Sequence, residues 1–340
     1  MEGGADGRGV EVLAAPVALD SHLARTHLFV NLPLGVTARR LSAAHHPLWR
    51  LLMPHGDGTP YINNLTPHTL LKPQGDVHLL LPTSREAQVA YVGGVVTTTR
   101  FNDRFPRADL AARGLLDGAT ALHHPYREDA LAHYDALHDF VAAILGEYYT
   151  CDADVVGDPE LAAWAADMAA PAPGGAGVRG FGEPLPDGTA AEGTIRSVGY
   201  LVDAVTLLIW TASAQHAAVN FPQVDLMASA AAFPLAVRAG APRPGAPAPI
   251  TAWLPPLRVA ARQLFLGAFL GGLVHLPLGT YPPTPLPGGW FRTGRGARAV
   301  AALRARLAAI DARIVAREAA EEVYKYEYLR PARVPRSINI

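Results

Sequence analysis

Between residues 126 and 149, apolar side chains recur at steps of three and four: Leu131, Tyr134, Leu137, Phe140, Val141, Ile144, Leu145 and Tyr148. That spacing gathers them on one face of a 3.6-residue turn and predicts a long amphipathic helix. Asp158-Pro-Glu160 opens a shorter helix running to Met168, with Asp158 placed to cap the first N–H groups and Pro159 in the first turn. From 194 to 221 the pattern changes. Leu201, Val205, Leu208, Ile209 and Trp210 belong to a run that is apolar nearly all round, which predicts a helix buried at the centre of the molecule. Residues 21–52 are helix-compatible with a break at Pro33-Leu-Gly35. Helices are also expected at 259–273 and 297–322, the second charged on one face. The Gly-, Pro- and Ala-rich stretches 170–194 and 238–256 read as loops. The tail from Tyr324 is expected to be extended, since Pro331 and Pro335 disfavour helix. Few segments alternate with a strand period, so the fold class is mainly α.

Composition narrows the picture. Of 340 residues, 50% are apolar and 17% charged, which supplies a sizeable core and argues against wholesale disorder. A formal net charge of −1 provides no basic excess, so no nucleic-acid partner is expected. The arginines of Arg292-Thr-Gly-Arg-Gly-Ala-Arg298 read as a solvated face. Cys151 is the single cysteine; it can form neither an internal disulfide nor a Cys-based zinc site, and reads as a buried or partly buried structural thiol. The first twenty residues lack the basic start and apolar run of a signal peptide. The most apolar segment, 264–278, carries His275 and Pro277. It is shorter than the ~20 residues of a membrane span and reads as a buried core helix. A soluble, cytoplasmic protein is the resulting expectation.

Three distant stretches then offer groups that could hold one metal ion. They are His22-Leu-Ala-Arg-Thr-His27, His216-Ala-Ala-Val-Asn220 and the carboxylate of the terminal Ile340. Three imidazoles, an amide oxygen and a carboxylate, with no thiolate, suit iron or manganese and leave a position for water or hydroxide. Each histidine taken singly reads as a satisfied core residue; the argument lies in the combination. His216 and Asn220 are four apart, about 400° of helical rotation, so they share a face. His22 and His27 are five apart and diverge by ~140° on a regular helix. They converge only across a widened i→i+5 turn, a π-bulge of the kind frequent at functional sites. Other motifs are weaker. Gly175-Ala-Gly177-Val-Arg-Gly180 has the letters of a dinucleotide loop but follows a Pro/Ala stretch instead of a strand. No GxSxG nucleophile elbow occurs. Adjacent residues such as His45-His46 and His123-His124 do not face each other on a helix.

At these residues the chain resembles the C-terminal, iron-bearing part of the lipoxygenase catalytic domain, particularly in bacterial members. Ser21-His-Leu-Ala-Arg-Thr-His27 is similar to the first ligand helix, and His46-Pro-Leu-Trp-Arg-Leu-Leu-Met-Pro-His55 to the segment after it. Ile62-Asn-Asn64 resembles a stretch lining the substrate channel. Gln215-His-Ala-Ala-Val-Asn-Phe-Pro-Gln223 resembles the second ligand helix, and Val334-Pro-Arg-Ser-Ile-Asn-Ile340 the family terminus. Tyr126-Arg-Glu-Asp129 and the region 148–164 also match. The resemblance covers a catalytic domain at 21–340 and leaves 1–20 as an unmatched segment.

The resemblance implies a non-haem iron (Fe2+/Fe3+) dioxygenase acting on a polyunsaturated fatty acid of the linoleate type. In such enzymes ferric hydroxide abstracts a bis-allylic hydrogen, O2 adds to the carbon radical, and a lipid hydroperoxide results. It implies His22, His27, His216 and the Ile340 carboxylate as ligands, Asn220 as a weaker fifth, and no catalytic side chain beyond the iron-bound hydroxide. Gln223 is expected to orient Asn220 and link it to the substrate pocket, and His46 and His55 to support the metal helix through hydrogen bonds. Thr66 stands where the family usually carries the Gly or Ala that steers oxygen to one carbon and one face. Leu70 matches a cavity leucine that presses on the substrate, or else simply packs in the core.

The chain also departs from the family. Members carry a long helical stretch before the first ligand helix, and eukaryotic ones a further N-terminal β-barrel; the residues before Ser21 resemble neither. The amide usually found just before the first ligand histidine is absent, with Ala18 and Leu19 in that neighbourhood. A domain lacking those parts is expected to expose apolar surface and to favour self-association or peripheral membrane contact. The alternative to a working dioxygenase is an inactive fragment or degenerate copy that binds iron or lipid without turnover.

Overall fold

A computed structural model describes residues 16–340 apart from 44, 117–122, 172–174, 237–244, 246–248, 273–275, 284, 285, 287, 288, 292 and 322–324. Most of the segment 1–20 set apart by sequence, together with much of the 238–256 loop, His275 and Arg292, therefore lies outside the described residues. Helices make up nearly all regular structure among the described residues, and the fold is mainly α.

The central element is the helix Val198–Trp210, which continues through a π-helical turn, Thr211–Gln215, into His216–Asn220. Ser197 caps its start by accepting from the Tyr200 N–H at 3.2 Å. Leu201, Val205, Leu207, Ile209 and Trp210 are all buried, as a run apolar on every side requires. The continuous helical stretch Val198–Met227 is long and apolar enough to cross a membrane, yet 83% of its most apolar window is covered by the protein's own side chains. It is a core helix.

Around it packs the amphipathic helix Pro125–Leu145, with Leu137, Phe140, Val141 and Leu145 inward, and against that the long helix Gly294–Ala320. The short helix Pro159–Ala169 starts as its sequence predicts: the Asp158 carboxylate accepts from the N–H groups of Glu160 and Leu161 at 2.9 and 3.0 Å.

Several expectations are corrected by the structure. The helix beginning at Phe29 runs through Pro33 to Arg40 without a break. It directly follows a π-helix, Pro16–Leu28. Pro33 costs the ladder one N–H donor, and burial of Val30, Pro33, Leu34, Val36 and Thr37 against the core keeps the helix continuous. The loop at 170–194 contains a small antiparallel hairpin, Gly182–Pro184 with Ala190–Glu192. Its three-residue strands are too short to show a period, and Gly182, at φ 146°, approaches so closely that a Cβ would lie 2.0 Å from the Ala191 carbonyl oxygen. The tail contains one 3-10 turn, Pro331–Arg333, because proline suits the first position of a turn whose N–H would be free in any case. Cys151 is exposed, not buried: it sits at the N-cap of the short helix Asp152–Val156, with its N–H held by Asp154 at 3.1 Å.

The segment 264–278 is not a buried core helix. The helix Leu257–Gly271 buries Val259, Gln263, Gly267 and Leu270, while Leu264, Phe265 and Phe269 are 45, 60 and 52% exposed. Its buried face lies on Pro222–Met227, where a Cβ added at Gly271 would meet Val224 Cγ2 at 2.4 Å. The absence of side chains at that crossing lets the two helices approach and leaves the opposite apolar face over a cavity.

Candidate metal centre and apolar cavity

His22 and His27 project from the π-helix Pro16–Leu28, in which five residues make about one turn, so a spacing that diverges on an α-helix here brings both rings to one side. Leu19, Leu23 and Ala24 seat that helix on Leu81 and Val92, in a small cluster beside the main core. Farther along, Trp164 Nε1 donates to Thr37 Oγ1 at 3.0 Å and fastens the continuation of the same helix to Pro159–Ala169. His216 arrives from the core helix. The Nε2 atoms of His22 and His216 lie 3.1 Å apart, and those of His27 and His22 3.2 Å apart. All three rings are buried.

This packing is a poor arrangement for histidines alone. Burial holds all three well below the ordinary imidazole pKa, His27 at about 4; neighbouring rings lower His22 and His216 further, and the Asn63 bond only partly offsets burial at His27, so they are neutral. Asn63 sets the tautomer of His27. Its Nδ2 donates to the His27 carbonyl at 2.9 Å, which turns its Oδ1 to the ring Nδ1, also at 2.9 Å. The carbonyl can only accept, so Nδ1 carries the proton and Nε2 presents a lone pair to the cluster. Nitrogens about 2.0–2.2 Å from one cation and near right angles to each other are separated by about 3 Å, the spacing of the two pairs that include His22, and all three ligand atoms lie within 4.8 Å of one another.

The other candidate ligands carry donor atoms of the kind such a centre would take. The Asn220 amide donates from Nδ2 to the Leu270 carbonyl at 2.7 Å, and its Oδ1 is buried with no hydrogen-bond partner. An orphaned carbonyl oxygen one helical turn from His216 suits a weak metal ligand. Ile340 is buried and lines the same cavity as His22 and His27. Neutral imidazoles, an amide oxygen and one carboxylate would make a donor set appropriate to iron.

Three of the expected supporting contacts differ. Gln223 does not hold the Asn220 side chain: its Nε2 donates to the backbone carbonyls of Val219 and Asn220 at 3.1 and 3.4 Å. The Leu270 carbonyl, brought close by the glycine crossing, does that work. Gln223 does line the cavity. The hydrogen bonds of His46 go elsewhere than the metal helix: it caps the helix Pro47–Leu52 by accepting from the Leu48 N–H and pairs with Asp158 at 3.2 Å. His55 contacts the tail, donating from Nδ1 to the Arg336 carbonyl at 2.7 Å. Asn63, Leu270 and Thr59 are the structurally important residues that sequence reasoning did not assign. Asn63 lay inside a recognised channel stretch, but nothing local ties it to a ring 36 positions earlier.

The cluster opens on a cavity of about 330 Å³. Leu19, Leu23, Ile62, Leu70, Leu266 and Phe269 are among its apolar walls, and Thr66 and Leu70 both border it. The Thr66 hydroxyl donates to the Ile62 carbonyl at 3.1 Å, so the wall gains no unpaired donor. Among the described residues, Asp76 and Arg262 are the only acidic and guanidinium side chains lining it, and they pair with one another at 2.8 Å. The volume falls within the range of small-molecule sites, and the lining suits an acyl chain.

Fold and site together define a helical protein whose three buried imidazoles could hold a metal ion beside an apolar cavity. The lipoxygenase family model matches residues 17–255. A linoleate 9/13-lipoxygenase from Pseudomonas aeruginosa is 35% identical over 328 residues, covering 94% of this chain and 45% of the relative. A human hydroperoxide isomerase is 31% identical, with 94% of this chain and 43% of the relative covered. Among solved structures, a lipoxygenase in complex with arachidonate superposes with a TM-score of 0.85 at 26% identity, covering 97% of this chain and 47% of that one. The coral 8R-lipoxygenase superposes at 0.83 with 25% identity, covering 97% of this chain and 48% of that one. The chain belongs to the lipoxygenase family, and it spans a little under half the length of these relatives.

Proposed function

We propose that this chain binds non-haem iron through His22, His27, His216, Asn220 and the Ile340 carboxylate, and dioxygenates a polyunsaturated fatty acid of the linoleate type. The observation that carries the reading is the convergence of three buried neutral imidazoles at the wall of an apolar cavity. Iron held there supplies a one-electron oxidant for removal of a bis-allylic hydrogen. The protein's part is positional. The apolar walls take the acyl chain out of water, and Leu70 and Thr66 restrict where its pentadiene can lie. Thr66 fills space that a smaller residue would leave open, so it bears on which carbon meets O2. Asn63 keeps the His27 lone pair directed inward, and the Leu270 carbonyl does the same for the Asn220 oxygen.

The experiment is anaerobic loading with Fe(II), metal analysis, then linoleate and air with absorbance of the conjugated diene as readout. Stoichiometric iron and diene formation support the proposal. A protein that takes up no iron overturns the metal assignment. Iron and linoleate binding without diene formation would instead support the alternative of a lipid-binding lipoxygenase copy without turnover.

A further inference from the structure

The C-terminal tail, whose last residue lines the cavity that His22 and His27 also border, rests on a built support. The turn that joins the helix Pro47–Leu52 to the helix Thr59–Thr69 touches the tail at successive residues. His55 Nδ1 donates to the Arg336 carbonyl at 2.7 Å, and Thr59 Oγ1 donates to the Ile338 carbonyl at 2.7 Å. Both side chains are essentially unexposed. Gly58 lies between them at φ 78°, and a Cβ there would come within 3.0 Å of Asn339 Cβ. Only a glycine combines that backbone with that approach.

The far side of the tail is held as firmly. The Arg336 N–H donates to the Leu276 carbonyl at 2.7 Å, and the Leu278 N–H to the Val334 carbonyl at 2.9 Å. The Arg336 guanidinium, 3% exposed, donates to the Thr280 carbonyl at 2.8 Å and to Asp57 at 3.1 Å, and lies over the Tyr281 ring. Tyr281 in turn donates from its hydroxyl to His55 Nε2 at 3.2 Å. With Nε2 accepting, the His55 proton sits on Nδ1, where the tail carbonyl needs it.

We propose that the 54–59 turn is a template for the terminal carboxylate, with Thr59 and His55 as positioning residues that act on the metal centre through the tail. Chain ends fray unless tied down, and a ligand on a frayed end would lose the advantage of a preformed site. Thr59 is the last anchor before Ile340: its bond at Ile338 leaves two residues to the carboxylate. This inference rests on the assignment of that carboxylate as a ligand.

The test compares the whole chain with Thr59→Val, Thr59→Ser and a form lacking Ile340. Affinity for Fe(II) alone is measured anaerobically by chelator competition, and melting temperature with and without metal. Thr59→Val keeps the shape but loses the donor, and is expected to weaken iron binding about tenfold or more. Thr59→Ser restores the donor and should return the affinity to within about threefold of the parent. The metal-induced rise in melting temperature should shrink in Thr59→Val, whereas a purely structural role would lower the apo and metal-bound values together. Should Thr59→Val not fold, His55→Gln reads the same support from its other anchor, since its amide can still donate but from a shifted position. Unchanged iron affinity in the folded Thr59 or His55 variant, beside clear loss on removing Ile340, overturns the template alone. Unchanged affinity on removing Ile340 overturns the carboxylate assignment and the template with it.

Discussion

Replacing Asn63 with leucine removes the group that sets the proton on His27 while keeping nearly the same volume. Two buried hydrogen bonds of 2.9 Å are lost, one to the His27 ring and one to its carbonyl. The carbonyl bond is an ordinary one, with a net contribution of about 1 kcal/mol. The ring N–H is worse off: it stays buried with no acceptor, at a cost of about 1–3 kcal/mol. The apo protein should therefore lose about 2–4 kcal/mol of unfolding free energy, read by urea titration. Metal affinity should fall by about 10–100-fold, because the freed ring can place its proton on Nε2 and withdraw the lone pair from the cluster. The assay is chelator competition with Fe(II) under anaerobic conditions. Asn63→Asp separates the two effects: its carboxylate still accepts from the ring but cannot donate to the carbonyl. It should retain more metal affinity than Asn63→Leu. A folded Asn63→Leu protein that binds iron as tightly as the parent would falsify the tautomer argument.

Two further outcomes are expected. Acid should destabilise the apo protein, since burial holds His27 and His133 at about 4 and His55 at about 3. Between about 6.5 and those values the unfolded chain binds protons that the fold excludes, so the stability is full above pH 6.5 and drains away as pH falls toward 4. Shifts of that size correspond to about 3–5 kcal/mol per group as an order of magnitude, and a flat urea midpoint from pH 7 to pH 4.5 would contradict it. Gly271→Ala should lower stability by about 1–3 kcal/mol through overpacking. The new Cβ would fall 2.4 Å from Val224 Cγ2 and push apart the crossing that brings the Leu270 carbonyl to Asn220. A crystal structure of the variant with both distances unchanged would show that the crossing is not tight.

Much of the architecture follows from periodicity. The Asp158 cap, the amphipathic helix Pro125–Leu145 and the buried core helix were all legible, because local spacing and capping chemistry act within a few residues. Part of the site was legible for the same reason. His216 and Asn220 share a face by their spacing, and the five-residue step from His22 to His27 demanded a widened turn, which the structure extends into a π-helix from Pro16 to Leu28. The continuity through Pro33 was not legible, since proline normally interrupts a helix and only burial of the surrounding residues in the core holds this one together.

What residue order could not disclose is which groups meet across long separations. Asn63 reaches His27, Leu270 reaches Asn220 and Thr59 reaches Ile338 only after the helices pack. Each of these is a hydrogen bond between buried groups, and burial is decided by the whole core. The same packing exposed Cys151 and turned one face of Leu257–Gly271 toward a cavity. By itself the sequence determined the helices, the three imidazoles and the terminal carboxylate. Tertiary structure decided the convergence of the imidazoles, the tautomer of His27 and the support of the tail, because such a cluster depends on side-chain directions and on buried polar partners that no local pattern contains.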